Sequence, residues 1–558
     1  MSLGHNRSPD GTAILRVAQG CAFLCLFLLG LVLYKDYGIA YDEPVNRRNG
    51  GISFNAVVNG ANEALSTTFF ENDPETKQFN VDLNQYRDRD YGVAFDLPVF
   101  FLERILGIND SRGQYQFRHI LTFLAFLAGV AAVYRIALLR FSDWRLASVA
   151  AVMLMLSPRM FAEAFYNNKD IVFMAAYAVA GYTLLKFIFN PTLGRGVVHG
   201  LASAVAIDIR IMAVMIPLAT VVLLGGLALR GELRVRRVIP MALCYALATM
   251  MFVYLLWPWL WAGTTEGSAW LAPFRKVAEV FGNMSSFRWS GWIQFAGHLY
   301  PAGALPKYYL PVWIAVTTPV LYLALCGVGI VATLLKALRC KFRLWDSEEE
   351  LQDLVFLAFA TLPIVAVIVL NSVVYDGWRQ VYFVYPWIIL LAARGLTAVF
   401  NVSRRPAFRY AICAILMASC LHTAYWMKMA HPYQNVYFNA LAGDRWDRKY
   451  EMDYWGLSNL AGLQEIARRD SRANITIAHL GISSVNQALL MLPPGDRERI
   501  KIIDDPGHAD YLVTNYRVLG TTDAETFARL RQDVRPYFEI QVDDKAIYSV
   551  FKADQLPR

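Results

Sequence analysis

The sequence predicts a polytopic α-helical membrane protein with about eleven transmembrane helices, followed by a soluble α/β domain. Of its 558 residues, 56% are hydrophobic and only 18% are charged, which is too apolar for an average soluble protein. Apolar runs long enough to cross a ~30 Å hydrocarbon core recur up to residue 428. Residues 429–558 are charged instead, and short strand-like runs alternate there with helical patterns, as in a small α/β domain.

The distribution of charge argues against a nucleic-acid partner. The net charge is +8, but lysine and arginine occur in short clusters between apolar runs, as the positive-inside rule produces. We therefore expect the basic residues to report membrane topology, with no nucleic-acid partner. The seven cysteines lie in apolar runs or basic loops, so they indicate neither a disulfide framework nor a zinc site.

The first apolar run, 12–34, is predicted to be an uncleaved span, because a signal peptide has a shorter apolar region. The N-terminus is then cytoplasmic, and residues 35–113 form a long polar loop on the outer side. Within this loop the apolar segment 97–106 is too short to cross, so we expect a helix in the membrane interface. Arg47 and Arg48 are expected to be solvated.

Further spans are predicted after this loop. The run 197–229 is interrupted by Asp208 and Arg210, and both of its flanks are basic, so the positive-inside rule favours two shortened spans that meet near these charges. The alternative is an Asp208–Arg210 ion pair that only holds a helical hairpin. An odd number of spans places the C-terminal domain outside. The predicted runs are 115–138, 143–158, 170–189, the two halves of 197–229, a run ending near Leu256, 311–335, 352–373, 379–399 and 410–428.

Side chains that could carry chemistry concentrate in the outward loops. Asp42 and Glu43 directly follow the first span, and Pro44 stiffens the chain behind them. The plain alternative is that such charges are solvated and only mark the membrane surface. The tryptophans of 257–261 are more typical of the membrane interface than of a sugar site. The other candidates are Arg159, Lys169 and Asp170 in the second outward loop, Arg210 at the split span, Lys307 and Tyr308 before the eighth span, and Tyr375, Asp376 and Arg379 in an Asp-Gly turn before the tenth.

Five motifs stand in a particular order along the outer side. They are Tyr41-Asp42-Glu43, Ser157-Pro158-Arg159 leading to Asn168-Lys169-Asp170, Leu305-Pro306-Lys307-Tyr308-Tyr309, Tyr375-Asp376-Gly377-Trp378-Arg379, and the segment His431–Asn439. Their order and spacing resemble the GT-C superfamily of membrane glycosyltransferases. More narrowly, the chain is similar to the bacterial relatives of protein O-mannosyltransferases and aminoarabinose transferases. The resemblance covers the whole membrane part and the start of the outer domain.

This resemblance implies a polyprenyl-phosphate sugar as donor and a lipid, glycan or protein acceptor that enters from the outer face of the inner (plasma) membrane. It implies that a carboxylate of the first outer loop, Asp42 or Glu43, is the base. It predicts no definite cofactor; a divalent metal held by Asp42, Glu43 or Asp170 is compatible with the superfamily, but oxygen ligands give no diagnostic spacing. The chain departs from these relatives at Arg379-Gln380, where they carry Arg-His, which puts in doubt an imidazole role at this turn but not the arginine.

The reaction chemistry favours the same residue types. Displacing a lipid phosphate from an anomeric carbon develops negative charge on the phosphate and requires removal of a proton from the acceptor hydroxyl. Arginine binds two phosphate oxygens with its planar fork, and a positioned base contributes ~10²–10⁴-fold to the rate. We expect Asp42, which lies nearer the end of the first span than Glu43, to be the base. We expect Arg159, Lys169, Arg210 and Arg379 to bind the donor phosphate, and Asp170, Lys307, Tyr308, Tyr375 and Asp376 to bind substrate.

Two other functions stay open at this point. A lipid or sugar transporter or flippase would also carry ionisable residues along its path, but transporters tend to show paired repeats and broken helices near the midplane. Here the charges gather at one surface, which favours the enzyme. A ligase-type transferase would move a preassembled glycan instead of a single hexosyl or pentosyl group. The residues identify neither the sugar nor the acceptor.

Overall fold

A computed structural model describes residues 9–61, 76–262, 271–285, 289–340, 343–518 and 520–555. The chain folds into a bundle of long apolar helices, and shorter helices, a hairpin and a C-terminal α/β domain lie at one end of the bundle. The predicted fold class, a polytopic helical membrane protein with a C-terminal α/β domain, is confirmed.

Eight helices of the described chain are long and apolar enough to cross a membrane. A ninth span results if Trp144–Met155 and Pro158–Tyr166, which meet at a 66° bend, are counted as one. Pro158 begins the second helix of this pair, where its missing N–H sacrifices no helical hydrogen bond. The eight helices are Ser111–Phe141, Asp170–Phe189, Ile211–Leu229, Val235–Leu256, Val320–Arg339, Glu348–Val369, Arg379–Phe400 and Pro406–Met429.

Two further helices, which are not among these candidate spans, correspond to the other runs that the sequence predicts. Pro9–Leu33 contains the apolar stretch Gln19–Leu33, and Leu193–Ile209 precedes Arg210. At Arg210 the backbone is extended (φ −146°, ψ 124°), and a 3-10 turn, Ile211–Val214, leads into the next helix. The predicted break in the run 197–229 is therefore present at the predicted place.

Charged contacts join the helices at each end of the bundle. At one end, His431 Nε2, which follows the last span, lies 2.9 Å from Asp36, which follows the first. At the other end, Asp353 accepts hydrogen bonds of 2.6–2.7 Å from Arg140 and Arg394. These contacts fit helices that alternate in direction. Following the positive-inside prediction, we call the first end outer and the second inner.

Two of the spans, Val320–Arg339 and Arg379–Phe400, touch through their backbones. A Cβ on Gly329 of the first would lie 2.0 Å from a carbonyl oxygen of the second, and a Cβ on Gly395 of the second would lie 1.8 Å from a carbonyl oxygen of the first. Only glycine permits helices to approach so closely. The contact fixes the height of Arg379, which begins the second helix.

The first outer loop contains helices that the sequence interpretation did not foresee, in addition to the one that it did. They are Glu43–Ala61 and Thr76–Phe79, while residues 62–75 lie outside the described part. The helix expected over 97–106 is present as Asp96–Ile105, with one face buried and Ile105 at its end 56% exposed. An apolar end of this kind suits the interfacial position that was predicted.

One prediction about the first outer loop, that Arg47 is solvated, is wrong. Arg47 is buried, and its Nε donates to Glu103 Oε2 at 3.0 Å. Glu103 lies on the helix Asp96–Ile105, so the partner comes from a distant part of the same loop. Arg48, the next residue, is exposed as expected.

The segment between the spans that end at Leu256 and begin at Val320 is folded where it is described. Strands β1 (Trp292–Phe295) and β2 (His298–Pro301) form an antiparallel hairpin. Three short helices accompany it, namely Pro258–Trp261, Ala272–Ser285 and Tyr309–Thr317.

The C-terminal domain contains a five-stranded sheet of order β4-β3-β5-β7-β6. Strand β3 pairs in parallel with β4 and β5, and β7 pairs antiparallel with β5 and β6. The strands are β3 (Ile475–His479), β4 (Ile500–Ile502), β5 (Tyr511–Thr514), β6 (Phe538–Val542) and β7 (Lys545–Lys552); the helices are Ser458–Arg469, Val485–Leu489, Pro494–Arg499 and Thr521–Asp533. All the predicted strands are present. Only the edge strand β6 was missed.

Candidate active site

Asp42 lies where the chain leaves the first helix and enters the helix Glu43–Ala61. The Tyr41 N–H donates to the Trp455 carbonyl at 3.2 Å, so the outer domain holds this stretch. The Asp42 side chain is 38% exposed, and its Oδ2 accepts a hydrogen bond from Arg379 Nη1 at 3.0 Å. The carboxylate is therefore accessible on one side and fixed on the other.

Glu43 points into the protein. Its side chain is 1% exposed, and its Oε2 accepts the Ala40 N–H at 2.8 Å. The Nε2 atom of His119 lies 3.2 Å from Glu43 Oε1. As the first residue of its helix, Glu43 also suits the positive end of the helix dipole. Of the two predicted carboxylates, only Asp42 is available to a substrate.

Arg379 is the centre of the ion pairs at the outer end. Its Nη1 donates to Asp42 at 3.0 Å and to Asp170 at 3.2 Å, and its Nη2 lies 3.3 Å from Asp376 Oδ2. The guanidinium is 5% exposed. One cation therefore serves three carboxylates, and Asp42 shares its positive partner with Asp170 and Asp376.

Two aromatic rings enclose this guanidinium. The Cζ of Arg379 lies 4.9 Å from the ring centroid of Tyr375 and 4.7 Å from that of Trp455. Trp289 stacks on Tyr375, with the centroids 4.7 Å apart. Cation–π contacts of this kind hold the guanidinium plane without engaging its N–H groups. These contacts join the segment just before the β1–β2 hairpin, which carries Trp289, to the turn before the tenth predicted span and to the outer domain.

The ion pairs continue on both sides of Arg379. Arg210 Nη2 donates to Asp170 Oδ1, and Arg517 Nη2 donates to Asp376 Oδ1. The result is a row of alternating charges, with three carboxylates and three guanidinium groups and thus no formal net charge. We call it the charge chain; its members are Arg210, Asp170, Arg379, Asp376 and Arg517 in that order, with Asp42 attached to Arg379.

Local structure explains how these side chains reach one another. Asp170 begins the helix Asp170–Phe189, where the dipole favours a carboxylate, and Arg210 follows the end of another helix, where it favours a cation. Asp376 and Gly377 both have positive φ values, 55° and 72°. Aspartate and glycine tolerate this conformation, which occurs in tight turns of the chain. The predicted Asp-Gly turn is therefore present.

Lys169 lies beside the charge chain and beneath Tyr91. Its Nζ is 4.6 Å from the centroid of the Tyr91 ring, and the residue is 7% exposed. Burial lowers the pKa of Lys169 from its usual 10.5 to about 8, while the charge of Asp96 opposes the shift. The adjacent Asn168 donates to Asp96 at 3.0 Å, which fixes this part of the loop.

Arg159 is enclosed by aromatic rings. Its Cζ lies 5.5 Å from the Trp313 centroid and 5.6 Å from that of Phe438, and the residue is 1% exposed. Its Nη1 donates to the Tyr454 hydroxyl at 3.4 Å, and this hydroxyl donates to Glu163 at 3.0 Å. Arg159 therefore belongs to the buried support behind the site.

Lys307 and Tyr308 lie apart from the charge chain. Both are exposed, and the Tyr308 ring is 5.9 Å from that of Phe295 on β1. Among the described contacts, none joins them to Arg379 or Asp42. The structure thus brings together the predicted residues Asp42, Asp170, Arg210, Tyr375, Asp376 and Arg379, with Lys169 beside them.

Four residues near the site were not singled out from the sequence. The signal for Tyr91 was the charged stretch Asp88-Arg89-Asp90 before it. The signal for Trp455 was its place after another aromatic residue in a polar segment. Arg517 and Glu451 had no signal, because their partners lie far away along the chain. The four connect the first outer loop and the outer domain to the turn around Asp376.

Buried carboxyl groups surround this turn. Burial raises the pKa of Asp376, although the charges of Arg517 and Arg379 oppose the shift. Burial and the nearby Asp376 raise the pKa of Glu451 from its usual 4.5 to about 8. Within the described chain neither carboxyl oxygen of Glu451 has a hydrogen-bond partner. Burial also raises the pKa of Tyr375 to about 12. At neutral pH, Glu451 therefore holds a proton beside the charge chain.

The site does not have the geometry of a metal centre. Asp42 and Asp170 both accept hydrogen bonds from Arg379, whose positive charge occupies the place between them. In the described part of the chain, the group with ligand atoms close enough to hold an ion is Cys340, Asp346 and Glu350, between two spans at the inner end. The residues Asp42, Glu43 and Asp170 thus fit a guanidinium better than a divalent cation.

Two grooves of the outer domain are separate from the charge chain. Their volumes are about 200 and 340 Å³, and both are lined by Asp447, Arg448, Tyr516 and Arg531. Neither is lined by a member of the charge chain. The Arg531 guanidinium pairs with Asp447 at 2.7 Å and lies over Tyr516, so the charges of these grooves are largely engaged.

No family model matches the chain, and no curated protein matches it. Solved structures similar to it include ArnT from Cupriavidus metallidurans in the apo state, with 13% identity, a TM-score of 0.48 and coverage of 99% of this chain and 100% of that one. ArnT bound to undecaprenyl phosphate has 12% identity, a TM-score of 0.44 and 98% coverage of both chains. The Archaeoglobus fulgidus oligosaccharyltransferase AglB, in complex with an inhibitory peptide and a dolichol-phosphate, has 11% identity, a TM-score of 0.40 and coverage of 89% and 70%. At these values the likeness is one of overall arrangement, and the roles of residues follow from this chain's own contacts.

Proposed function

We propose that this protein is a glycosyltransferase that moves a sugar from a polyprenyl-phosphate-linked donor to an acceptor at the outer face of the membrane. The observation that carries the proposal is the state of Asp42. Its side chain is 38% exposed, whereas those of Asp170 and Asp376 in the same charge chain are 1% and 5% exposed. An accessible carboxylate on a buried, fixed arginine is the arrangement that a general base requires.

In the proposed reaction, Asp42 takes the proton of the acceptor hydroxyl as its oxygen attacks the anomeric carbon. The bond between that carbon and the lipid-phosphate oxygen breaks, and the polyprenyl phosphate leaves with the electron pair. Arg379 holds Asp42 at 3.0 Å from one side, so that the other oxygen is oriented towards the acceptor. Sharing Arg379 among three carboxylates keeps Asp42 from being fully neutralised.

The leaving phosphate needs cations whose charge is not already shared among several carboxylates. Arg210 supports this role, because its side chain is 18% exposed and Asp170 is the one carboxylate of the charge chain that engages it. We assign Lys169 as the second cation, since its charge is close enough to that of Arg210 for each to disfavour the other. A phosphate between them would relieve this repulsion. Arg379 and Arg159 are then supports of the site, because three carboxylates engage Arg379 and aromatic rings enclose Arg159.

We assign the remaining expected contacts by position. Tyr91 is partly exposed near Asp42, and its ring suits a sugar face. The Tyr375 ring is covered by Arg379 and Trp289, so we assign any contact of Tyr375 with substrate to its hydroxyl group. Lys307 and Tyr308 are exposed and lie away from the charge chain, so we assign them to contacts with a more distant part of the acceptor. A hexosyl or pentosyl group is the expected cargo, and the acceptor is a lipid, a glycan or a protein.

The test is a transfer assay with purified protein in liposomes. A panel of polyprenyl-phosphate sugars is supplied with pooled envelope lipids, glycans or proteins, and the release of polyprenyl phosphate is measured with transfer of labelled sugar. We expect one donor class to be consumed by the wild-type protein and not by Asp42→Asn. Glu43→Asp is the control variant at the neighbouring buried carboxylate, because Glu43 contacts the Ala40 N–H and His119 and not the substrate.

Two results would contradict the proposal. Full activity in folded Asp42→Asn would remove the base from this position. Movement of an intact lipid-linked sugar across the liposome membrane, with no transfer to any acceptor, would identify a flippase or transporter instead. Transfer of a preassembled glycan as one unit would identify a ligase-type transferase and would leave the role of Asp42 intact.

A further inference from the structure

The C-terminal domain supplies one member of the charge chain. Arg517 lies just after β5, and its side chain is 7% exposed. Its Nη2 donates to Asp376 Oδ1, and its Nη1 donates to the Tyr454 carbonyl at 3.0 Å. The Cζ also lies 6.0 Å from the ring of Tyr41, the residue before Asp42. One side chain of the outer domain thus contacts two segments that flank the proposed base.

We propose that the C-terminal domain completes the active site, and that Arg517 is a positioning residue that acts through Asp376 and Arg379 to hold Asp42 for proton removal. The inference rests on the proposed function of Asp42. It assigns to the outer domain a role in the reaction in addition to any role in binding an acceptor. Arg517 itself touches no reacting atom in this proposal.

The backbone around Arg517 is built to keep the side chain in place. The Ile482 N–H donates to the Arg517 carbonyl at 3.0 Å, and Asn515 Nδ2 donates to the Asp453 carbonyl at 2.9 Å. Gly481 has a φ of 77°, and a Cβ there would lie 2.1 Å from the Arg517 carbonyl oxygen. A positive φ and so close an approach both require glycine. The loop that carries Arg517 is therefore fixed by its neighbours on two sides.

The charge balance explains why Arg517 affects Asp42. Asp376 is shared between Arg379 and Arg517, and Arg379 is shared between Asp376, Asp170 and Asp42. Without Arg517, Asp376 has only Arg379 as a partner and draws it away from Asp42. The remaining cluster also carries one excess negative charge. Asp42 would then lose both its fixed orientation and part of its stabilisation as an anion.

The other charged groups that face Asp376 strengthen this effect. Asp42 acts on Asp376 as a like charge, and Arg517 acts as an opposite charge on both Asp376 and the neighbouring Glu451. Loss of Arg517 would therefore leave the three carboxylates of the charge chain with two arginines, Arg379 and Arg210. In a site that excludes water such an excess is costly, because interactions between charges are weakly screened there.

The central experiment compares Arg517→Gln with a matched variant of the same domain, Arg468→Gln. Arg468 has a side chain that is 68% exposed and a partner, Glu465, on its own helix, so its loss tests the general effect of removing an arginine. We expect Arg517→Gln to lower kcat about tenfold, with the KM for the lipid-linked donor within about twofold of wild type. Arg468→Gln should change neither. Arg517→Lys should recover part of the loss, since it restores the charge but not the two-pronged contact.

A double-mutant cycle tests the route of the effect. If Arg517 acts through Asp376, adding Arg517→Gln to Asp376→Asn should lower kcat further by less than about threefold. Fully additive losses would show that Arg517 acts elsewhere and would overturn the inference. Unchanged kcat in folded Arg517→Gln, or an equal loss in Arg468→Gln, would overturn it as well.

A second readout does not depend on activity. With all seven cysteines replaced by alanine, Asp42→Cys is labelled by an impermeant thiol reagent, and the rate is measured with and without Arg517→Gln. We expect at least about threefold slower labelling without Arg517, because the thiolate loses support from nearby cations. An unchanged rate would overturn the positioning role. If the wild type transfers no sugar while the labelling rate falls as expected, the proposed function fails and the coupling of Arg517 to position 42 stands.

Discussion

The two ends of the helix bundle both carry clusters of arginine and aspartate, but only one of them has open positions. At the inner end, both carboxylate oxygens of Asp353 accept hydrogen bonds from Arg140, and one of them also accepts a hydrogen bond from Arg394. The N···O distances are 2.6–2.7 Å. At the outer end, Arg379 distributes its contacts over three carboxylates, and one of these, Asp42, is accessible. The same residue types therefore form a closed structural contact at one end and an open site at the other.

The unpaired atoms show the same contrast. In the described chain, the Nε atoms of Arg210, Arg379 and Arg517 are buried without a hydrogen-bond partner, whereas no side-chain atom of the inner cluster is left in this state. Buried polar groups are normally paired, and each exception calls for an explanation, such as a catalytic role or an ordered water or ion. The unpaired Nε atoms fit the proposed function, in which a substrate completes the outer cluster.

The largest expected effect is a loss of turnover when the outer cluster is changed, with little loss when the inner cluster is changed. Asp42→Asn should lower turnover by ~100-fold or more, because a positioned base contributes that much, while donor affinity and thermal stability stay close to wild type. The measurements are kcat, donor binding and the melting temperature in detergent. Asp353→Asn is the control; its folded fraction should retain turnover within about threefold. Loss of donor binding in Asp42→Asn would show that the carboxylate orients cations instead of removing a proton.

The next effect concerns the donor phosphate. Arg210→Ala should weaken donor binding by roughly 10- to 100-fold, which corresponds to the ~1.5–3 kcal/mol of a charge-assisted hydrogen bond. Arg210→Lys should recover part of the affinity. Arg394→Ala at the inner end should leave donor affinity unchanged in the folded protein. Equal binding by Arg210→Ala and wild type would move the phosphate site to other cations.

A third effect should appear in stability and not in activity. Asp353→Asn leaves Arg140 and Arg394 without their shared charge, and the cost of such unpaired groups is ~1–3 kcal/mol. We expect a lower melting temperature, and a larger fall than for Asp42→Asn, whose carboxylate is partly solvated. A fall of equal size in both variants would mean that the outer cluster is as structural as the inner one.

The smallest effect is a pH dependence. The pKa of Glu451 is about 8 in the folded protein against its usual 4.5, so the folded state holds a proton that the unfolded state releases. Stability should therefore fall as pH rises from about 5 to about 8 and level off above, and this slope should be reduced in Glu451→Gln. Melting temperatures across this range test it. Asp353→Asn leaves Glu451 in place, so this variant should keep the slope that Glu451 contributes.

The sequence predicted features that depend on local pattern. The break at Arg210 followed from basic residues on both flanks of one apolar run, and the turn at Asp376 followed from an Asp-Gly pair. Strands β3, β4, β5 and β7 were visible as short apolar runs. The edge strand β6 was missed although its five residues, Phe538–Val542, alternate between apolar and polar. Patterns within one segment were sufficient for these elements.

Contacts between distant segments could not be predicted in this way. Arg47 lies in a polar stretch that reads as solvated, but a helix of the same loop buries it with Glu103. Arg517 and Trp455 belong to a separate domain, and nothing in their neighbourhood indicates that they reach Arg379 or its partner Asp376. Asp42 could be preferred to Glu43 from the sequence, but the reason, an accessible side chain against a buried one, appears only in the fold.

The glycine contact between Val320–Arg339 and Arg379–Phe400 holds the second helix at a fixed height in the bundle. The length of that helix then has a consequence for the membrane around it. Arg379 and Arg394 stand on one helix, fifteen positions apart by number, and the 3-10 and α-helical rises place their Cα atoms about 22–26 Å from each other. A hydrocarbon core of ~30 Å is thicker than this, and any tilt increases the mismatch. If both arginines lie at the edges of the hydrocarbon core, the bilayer has to thin around this helix or admit water above Arg379. Under the proposed function, the donor phosphate would then meet the charge chain in a local depression of the leaflet.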